Sequence, residues 1–314
     1  PFDFNYDFKT DLVLVGDGGV RFFRQDSPSA FTDVTAETKL PPGILNYPYI
    51  SAWAADIEAD GDLDVVLTTE KEFPLVLRNN GDGTFGTIYP FHAGFGVFDF
   101  AWADLDADGD PDAAFVDGNG QLHVFSNERQ GQFTERSVPI SSPVRAISVL
   151  DLNNDGVLDL VIAANDGSIM GLSDKDHGAG WKSAEIINAT AQLGASVLRV
   201  ADLDNNGGLD LILMPSARIW LNDGNGKFTE LNNTSFQERV FDAADLNNDG
   251  RLDLLALSKD GQPQQGLNQS TKNYHWQIVR PRATNAVGDQ RINPFGVGGE
   301  MEIRSGLLVQ KQPI

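Results

Sequence analysis

Short apolar segments alternate with short polar turns along the whole chain, and no segment has the three-to-four-residue spacing of an amphipathic helix. Residues 51–55 (SAWAA) and 63–67 (LDVVL) are strand-sized runs of this kind. Asn-Gly and Asp-Gly pairs, as at residues 80–81 and 82–83, separate other runs and are typical of β-hairpins. The pattern predicts antiparallel strands, about four in every 40–50 residues, which is the size of one propeller blade.

A nine-residue polar motif, Asp-x-(Asp/Asn/Glu)-x-(Asp/Asn)-Gly-x-x-Asp, recurs between the apolar runs. We number its copies in chain order as loops 1 to 6: residues 3–11, 56–64, 104–112, 151–159, 202–210 and 245–253. Loop 1 is the weakest copy, because Phe8 stands in place of the glycine. Successive loops start 53, 48, 47, 51 and 43 residues apart, so the motif marks a structural repeat.

This repeat predicts an all-β fold: a β-propeller of six visible four-stranded blades in a six- or seven-bladed ring, with a short C-terminal β extension. The alternatives are a β-solenoid, whose coils are shorter than this period, and a β-sandwich, whose strands lack such regular repetition. We assign residues 1–272 to the propeller and residues 273–314 to a separate β segment.

Loop 1 starts only two residues after Pro1, so the strand that should lead into it is missing at that point. An open sheet edge invites pairing with another strand. We therefore expect another segment of this chain, residues outside this stretch, a partner or a second copy of the chain to complete the first blade.

The loops have the composition of a calcium site. They place side-chain oxygens at positions 1, 3, 5 and 9, and Ca²⁺ takes six to eight oxygen ligands at about 2.3–2.6 Å. Glycine at position 6 permits the sharp turn, and the carbonyl of position 7 can complete the shell. An EF-hand would need Glu at position 12, where residues such as Leu67 and Phe115 are apolar, so that class is excluded.

Mg²⁺ is disfavoured because it gives up its water reluctantly. Turns that cap themselves through Asp and Asn explain one such loop but not six. The predicted cofactor is therefore Ca²⁺, with five to six ions. The candidate ligands, of which position 7 contributes its carbonyl, are Asp3, Asn5, Asp7, Asp11, Asp56, Glu58, Asp60, Asp62, Asp64, Asp104, Asp106, Asp108, Asp110, Asp112, Asp151, Asn153, Asp155, Val157, Asp159, Asp202, Asp204, Asn206, Gly208, Asp210, Asp245, Asn247, Asp249, Arg251 and Asp253.

The charge of the chain agrees with this assignment. The six loops hold 22 of the 45 Asp and Glu residues, and six bound Ca²⁺ would change the formal charge from −22 to −10. Such an acidic chain excludes a nucleic-acid partner, because phosphate binding needs clustered Lys and Arg. The chain has no cysteine, which excludes disulfides and thiolate metal sites, and no apolar run of the roughly 20 residues that a membrane span needs.

The loops with their flanking strands resemble the FG-GAP/VCBS repeats of the integrin α-subunit propeller and of many secreted bacterial proteins, over about residues 1–272. Residues 273–279 (NYHWQIV) and 293–303 (NPFGVGGEMEI) resemble the opening of an ASPIC/UnbV domain. Together the two parts are similar to the cartilage acidic protein family and its bacterial relatives. The resemblance implies an extracellular, calcium-binding, adhesion-type role and no catalytic residue.

We expect a secreted, cell-surface or periplasmic scaffold, because extracellular calcium modules work at about 10⁻⁴–10⁻³ M. Its partner would be a protein, a glycan or a second copy. The alternative is a calcium-dependent polysaccharide lyase or glycosidase, which a non-repeated cluster of Lys, Arg, Tyr or His over the ring centre would favour. The segments that lead into each blade differ between repeats. They supply the candidate ligand-binding residues Tyr47, Tyr49, Phe95, Phe98, Arg145 and Arg239, although ordinary turn variation also explains them.

Overall fold

The computed structural model of the chain describes residues 1–175, 177–188, 197–215, 218–231, 238–271, 275–283, 293–306 and 308–314. These residues contain 24 β-strands, a 3₁₀ turn at Thr35–Thr38 and one four-residue helix, α1 (Pro42–Leu45). No helix among them is long and apolar enough to span a membrane. The predicted all-β class is confirmed.

The first 22 strands form six antiparallel sheets in chain order, which are the blades of a β-propeller. Blade 1 contains β1 (Leu12–Gly16), β2 (Gly19–Ser27) and β3 (Ala30–Asp33); blade 2 contains β4 (Ser51–Ala55), β5 (Asp64–Thr68), β6 (Leu75–Asn79) and β7 (Phe85–Ile88); blade 3 contains β8 (Asp99–Ala103), β9 (Asp112–Val116), β10 (Leu122–Asn127) and β11 (Phe133–Arg136); blade 4 contains β12 (Val144–Leu150), β13 (Asp159–Ala164), β14 (Ile169–Lys175) and β15 (Gly180–Ile187); blade 5 contains β16 (Val197–Ala201), β17 (Asp210–Met214), β18 (Arg218–Asn222) and β19 (Phe228–Glu230); blade 6 contains β20 (Arg239–Ala244), β21 (Asp253–Leu257) and β22 (Pro263–Gly266).

In blades 2 to 6 the acidic loop joins the first strand to the second. At the base of the two strands in blade 2, Ala55 pairs with Asp64. Phe2 pairs with Asp11 in the same way just before β1. Thus β1 corresponds to the second strand of the other blades. Among the described residues, Phe2 is the one that pairs where the first strand of blade 1 would lie.

The core lies between the blades, because side chains alternate between the two faces of a strand. In β5, Val65 and Leu67 face blade 1 and Val66 faces blade 3, all of them buried. Five apolar clusters of this kind fill the contacts between successive blades from blade 1 to blade 6. Within the described part of the chain, no such cluster joins blade 6 to blade 1.

The segment after blade 6 contacts the loops at both ends of the blade series. Trp276 packs against Gly250 of loop 6, where an added Cβ would lie 1.8 Å from the indole ring. Arg282 places its guanidinium 4.8 Å from the ring centre of Phe8 in loop 1. This segment therefore links the loops of blades 6 and 1.

The last two strands, β23 (Glu300–Ser305) and β24 (Leu308–Pro313), form a hairpin, as expected for a short C-terminal β extension. The carbonyl of Lys311 accepts a hydrogen bond from Asp151 N (3.2 Å), so the hairpin contacts loop 4. The assigned boundary between residues 272 and 273 lies outside the described residues, as do Asn273 and Tyr274.

Candidate metal centre in the acidic loops

The carboxylate at position 1 closes each loop. In loop 2, Asp56 accepts hydrogen bonds from Asp60 N (3.1 Å) and Gly61 N (2.9 Å), at positions 5 and 6. The same pair of bonds recurs in the other five loops at 2.8–3.3 Å. The repeated motif therefore folds into one repeated geometry.

The side chain at position 5 is held against the next turn of the loop. In each loop its oxygen accepts a hydrogen bond from the backbone N–H of position 7, at 2.6–3.0 Å; the side chains are those of Asp7, Asp60, Asp108, Asp155, Asn206 and Asp249. The asparagines at position 3, which are Asn5, Asn153 and Asn247, accept from the N–H of position 5 at 2.9–3.0 Å. In these three loops the side chains at positions 1, 3 and 5 all accept hydrogen bonds from the backbone of the same turn.

The aspartate at position 9 fixes the loop to the blade. Asp64 accepts hydrogen bonds from Ile57 N (3.0 Å) at position 2 and from Asn79 N (2.8 Å) at the end of the third strand. The bond from position 2 recurs in every loop at 2.8–3.3 Å, and the bond from the third strand recurs in loops 1, 3, 5 and 6. Position 9 therefore holds the loop against the blade.

A buried asparagine at the end of the third strand supports the loop, and it lies outside the nine-residue motif. Asn79 Nδ2 donates to Leu63 O (3.3 Å) in loop 2 and to Phe4 O (3.0 Å) in loop 1 of the preceding blade. The equivalent residues are Asn127, Asn222 and Asn268. The available signal is an asparagine that recurs 12 or 15 residues after position 9.

Each loop uses left-handed backbone at two positions. The glycines at position 6 of loops 2 to 6 have φ between 81° and 94°, as the motif predicts. Phe8 adopts φ 63° in loop 1, so this loop follows the same path with a residue that disfavours it. Position 4, where the motif specifies no residue type, has φ between 53° and 61° in all six loops.

Carboxylates converge most closely in loops 3 and 5. In each of these loops three carboxylates bring one oxygen apiece to within 4.8 Å of one another; they are Asp104, Asp106 and Asp108, and Asp202, Asp204 and Asp210. Asp106 Oδ1 is buried and has no hydrogen-bond partner within the described part of the chain. A buried carboxylate oxygen needs a donor or a cation, and the all-oxygen donor set here is the one that Ca²⁺ prefers.

Burial raises the pKa of the carboxyl groups in these loops. The pKa rises to about 6 for Asp56, about 7 for Asp112 and Asp210 and about 8 for Asp64, mainly through desolvation, and neighbouring aspartates raise it further. Backbone N–H donors partly offset the effect. A bound divalent cation would favour the charged form and reverse the shift.

In loop 2 the side chain at position 3 has a partner on a neighbouring strand. Glu58 forms an ion pair with Arg78 of β6, with the charged atoms 3.7 Å apart. Tyr6, at position 4 of loop 1, donates to the carbonyl of Gly61 and ties the two loops together. The side chain of Asp110 faces Arg129, which leaves its carbonyl as the group available to a metal.

The candidate ligand-binding residues separate into several places. Tyr47 and Tyr49 lie together, with ring centres 5.8 Å apart, in a cleft of about 550 Å³ that Asp17, Glu70 and Lys71 also line. Tyr47 is exposed, whereas Tyr49 is buried and donates its hydroxyl to Ile44 O (2.9 Å); burial raises the pKa of this hydroxyl to about 12.

The other four candidates lie elsewhere. Phe95 is exposed and stacks on Phe73 at 4.7 Å. Phe98 packs against the core cluster between blades 3 and 4, Arg145 donates to Asn165 (2.8 Å), and Arg239 is exposed at the start of β20. These residues therefore do not form one site.

One histidine is placed between two carboxylates. His123 is buried, with Nδ1 2.7 Å from Glu135 Oε1 and Nε2 3.7 Å from Asp117 Oδ2. Glu135 and Arg136 line a cavity of about 650 Å³ beside this group. The contact with His123 orients the carboxylate of Glu135 at the wall of this cavity.

Solved structures show the same fold at low sequence identity. The BP39L lectin from Burkholderia pseudomallei is 15% identical, with a TM-score of 0.56 over 96% of this chain and 90% of that chain. BBS1N, in a complex with ARL6DN, is 14% identical, with a TM-score of 0.52 over 84% of this chain and 76% of that chain. YCF48 from Cyanidioschyzon merolae is 11% identical, with a TM-score of 0.50 over 78% of this chain and 76% of that chain. These likenesses support the propeller fold.

No curated protein matches the chain significantly in sequence. The family described as FG-GAP-like repeat does match, at residues 3–67, 56–115, 105–162, 151–213 and 215–256. Each of these segments contains at least one complete acidic loop. The chain therefore belongs to the FG-GAP-like repeat family.

Proposed function

We propose that the protein is a calcium-stabilised propeller scaffold that binds a partner, and that its loops hold five to six Ca²⁺ ions. The observation that carries the metal assignment is the convergence of three carboxylates in loop 3, where Asp106 Oδ1 is buried without a donor. The repetition of the same loop geometry in all six copies extends the proposal to the others. When bound, the ion would neutralise carboxylates that otherwise repel one another.

Thermal unfolding with and without a chelator tests the metal. A ligand that binds only the folded state stabilises it by about 2.7 kcal/mol per site when its free concentration is 100 times its Kd. We expect EGTA to lower the melting temperature strongly, calcium to restore it, and magnesium at the same concentration to restore little of it. An unchanged melting temperature in EGTA contradicts the proposal.

The partner site that the geometry supports best is the cleft of Tyr47 and Tyr49, because it combines an exposed ring with charged groups at its rim. A ring of this kind stacks on the apolar face of a sugar, and Asp17 and Glu70 supply acceptors for its hydroxyl groups. Two of the similar structures are a lectin and a protein in complex with another protein, which agrees with a scaffold for either class of partner.

A glycan array probed with the isolated protein tests this site. Tyr47→Ala should abolish binding, whereas Phe241→Ala, which removes a more exposed ring from blade 6, should leave it unchanged. Equal binding by the Tyr47→Ala variant and the unmodified protein would exclude the cleft.

We also infer that the protein works outside the cytosol, where calcium is abundant enough to fill modules with a Kd of about 10⁻⁴–10⁻³ M. The resemblance of the C-terminal segment to an ASPIC/UnbV domain supports the same location. Cell fractionation that recovers the protein in the cytosol would contradict this placement.

A polysaccharide-active enzyme is the second candidate, and the placement of His123 against Glu135 beside a cavity favours it. Glu135 would act as the acid or base at the cavity wall. Incubation with acidic polysaccharides should then release reducing ends, and Glu135→Gln should stop the release without changing the melting temperature. Absence of cleavage by the unmodified protein would dismiss this candidate.

A further inference from the structure

Blade 4 carries a charged residue where other blades use an asparagine to reach the loop of the preceding blade. Asn79 and Asn268, each 15 residues after position 9, donate to carbonyls of the preceding loop at 3.0 and 2.7 Å. Asp174 stands at this position in blade 4. An ionised carboxylate only accepts hydrogen bonds, so Asp174 cannot make the same contact with loop 3.

Arg136, the last residue of β11, lies between Asp174 and loop 3 instead. Its guanidinium forms an ion pair with Asp174 and lies 3.9 Å from the carboxylate of Asp106, at position 3 of loop 3. The side chain of Arg136 is 9% exposed, and the guanidinium lies 4.3 Å from the ring centre of Trp181. It is therefore a buried cation between two carboxylates, where water screens its charge little.

The residues that follow β14 hold these groups together. His177 Nδ1 donates to the carbonyl of Asp106 (2.9 Å), and Gly178 N donates to Asp174 Oδ2 (2.6 Å). Gly178 also lies close to the first carboxylate, because an added Cβ would be 3.2 Å from Asp106 Oδ2. Both carboxylates are thus held beside the guanidinium.

The two oxygens of Asp106 have different surroundings. Oδ2 faces Arg136 and accepts from the hydroxyl of Ser126 (3.5 Å). Oδ1 is buried and has no hydrogen-bond partner among the residues that the structure describes, and the same is true of Arg136 Nη1. Asp106 therefore has the arginine on one side and an unshared oxygen available to a metal on the other.

We propose that Arg136 is an internal counter-charge that lowers the calcium affinity of loop 3. The proposal rests on the assignment of loop 3 as a calcium site. Without calcium, the guanidinium offsets the repulsion between Asp106 and the neighbouring carboxylates. With calcium bound, it repels the ion. Asp174 limits both effects because it neutralises part of the guanidinium charge. Arg136 thus acts on the metal through Asp106.

Two substitutions should change the affinity in opposite directions. Arg136→Met removes the cation and should tighten calcium binding at loop 3 at least about tenfold. Asp174→Asn places the residue type of the other blades at this position and leaves the guanidinium to Asp106 alone, so it should weaken binding at least about threefold. A merely structural role would change the affinity in the same direction in both variants, because each breaks the same buried ion pair.

A calcium titration followed through the indole N–H resonance of Trp181 measures this affinity, because the ring lies against Arg136. Arg136→Lys keeps the charge and should bind calcium within about threefold of the unmodified chain. Arg129→Met is the matched control, since Arg129 pairs with Asp110 of the same loop but is exposed. Solvent screens its charge, and its removal should change the affinity less than about twofold.

An unchanged affinity in Arg136→Met overturns the proposal, and so does a change in the same direction in Arg136→Met and Asp174→Asn. If Arg136→Met does not fold, Asp174→Asn decides alone: tighter or unchanged binding overturns the proposal. If the unmodified chain binds no calcium in equilibrium dialysis, the calcium sites themselves fail. If it binds calcium and only the arginine variants disagree, the role of Arg136 fails alone.

Discussion

Loops 1 and 3 follow the same backbone path with different chemistry. The carboxylates of Asp3 and Asp104 each accept two hydrogen bonds from positions 5 and 6 of their own loops. Loop 3 carries five carboxylates, with Gly109 at position 6, whereas loop 1 carries three, with Phe8. In loop 1, moreover, Lys9 lies 2.9 Å from the proposed ligand Asp7.

The comparison separates two properties of the motif. The hydrogen bonds of positions 1 and 9 determine the shape of the loop, and they persist where the glycine is lost. The number of carboxylates determines its charge, which is higher in loop 3 than in loop 1, and three carboxylates of loop 3 converge within 4.8 Å of one another. We therefore expect all six loops to fold alike but to differ in calcium affinity.

Neutralising loop 3 should have the largest effect. Asp104→Asn with Asp106→Asn removes two converging carboxylates and should abolish one calcium site. At a free calcium concentration of 100 times its Kd, such a site stabilises the folded chain by about 2.7 kcal/mol. Asp3→Asn with Asp7→Asn in loop 1 should lower the melting temperature in calcium by less. Asp260→Asn, at an exposed turn, is the matched control. Equal falls in melting temperature for the loop 1 and loop 3 variants would refute the expected difference in calcium affinity.

Removing a supporting asparagine should weaken the fold whether or not calcium is present. Asn79→Ala leaves the buried carbonyls of Phe4 and Leu63 without their donor and should cost about 1–3 kcal/mol in unfolding free energy. Asn80→Ala, one residue along and exposed, should change stability by less than about 0.5 kcal/mol. A loss for Asn79→Ala that calcium cancels would show that this residue acts through the metal.

Calcium affinity should fall as the pH falls. Burial raises the pKa of Asp56 to about 6 and that of Asp112 to about 7, both from 3.8, so the calcium-free folded chain binds protons more tightly than the unfolded chain. Its stability should therefore fall as the pH rises from about 4 to about 8. Protons compete with calcium over the same interval, and we expect at least about tenfold weaker binding at pH 5.5 than at pH 7.5 by titration calorimetry. Affinity that is constant over this range would contradict the assignment of these carboxylates as ligands.

Restoring glycine in loop 1 should have the smallest effect. Phe8→Gly relieves the left-handed strain at φ 63° but removes the ring under Arg282. Each contribution is of the order of 1 kcal/mol and they oppose one another, so the net change in unfolding free energy should stay within about 1 kcal/mol. Denaturant unfolding measures it, and a loss above about 2 kcal/mol would mean that the C-terminal segment depends on this contact.

The repeat predicted most of the fold because it is local. A motif that recurs every 43 to 53 residues with strands on both sides specifies one blade each time, and the blades form in chain order. The glycines at position 6 were predictable because the turn requires positive φ. By contrast, the pairing of Glu58 with Arg78 depends on a neighbouring strand, and the motif alone cannot reveal it.

Contacts between blades were harder to predict. Asn79 reaches loop 1 of the preceding blade, 75 residues away in sequence, and only its recurrence could have drawn attention to it. Tyr47 and Arg239 were grouped because both precede a first strand, yet the structure places them in blades 2 and 6 without a shared site. Position within a repeat predicts local structure but does not bring residues of distant blades together.

A direct count of bound calcium tests the central claim. Equilibrium dialysis at about 1 mM free calcium, followed by metal analysis, should find five to six ions per chain. The variant with Asp104→Asn and Asp106→Asn should bind one fewer ion, and Asp260→Asn should bind as many as the unmodified chain. No bound calcium, or the same number in the loop 3 variant, would contradict the assignment of these loops as calcium sites.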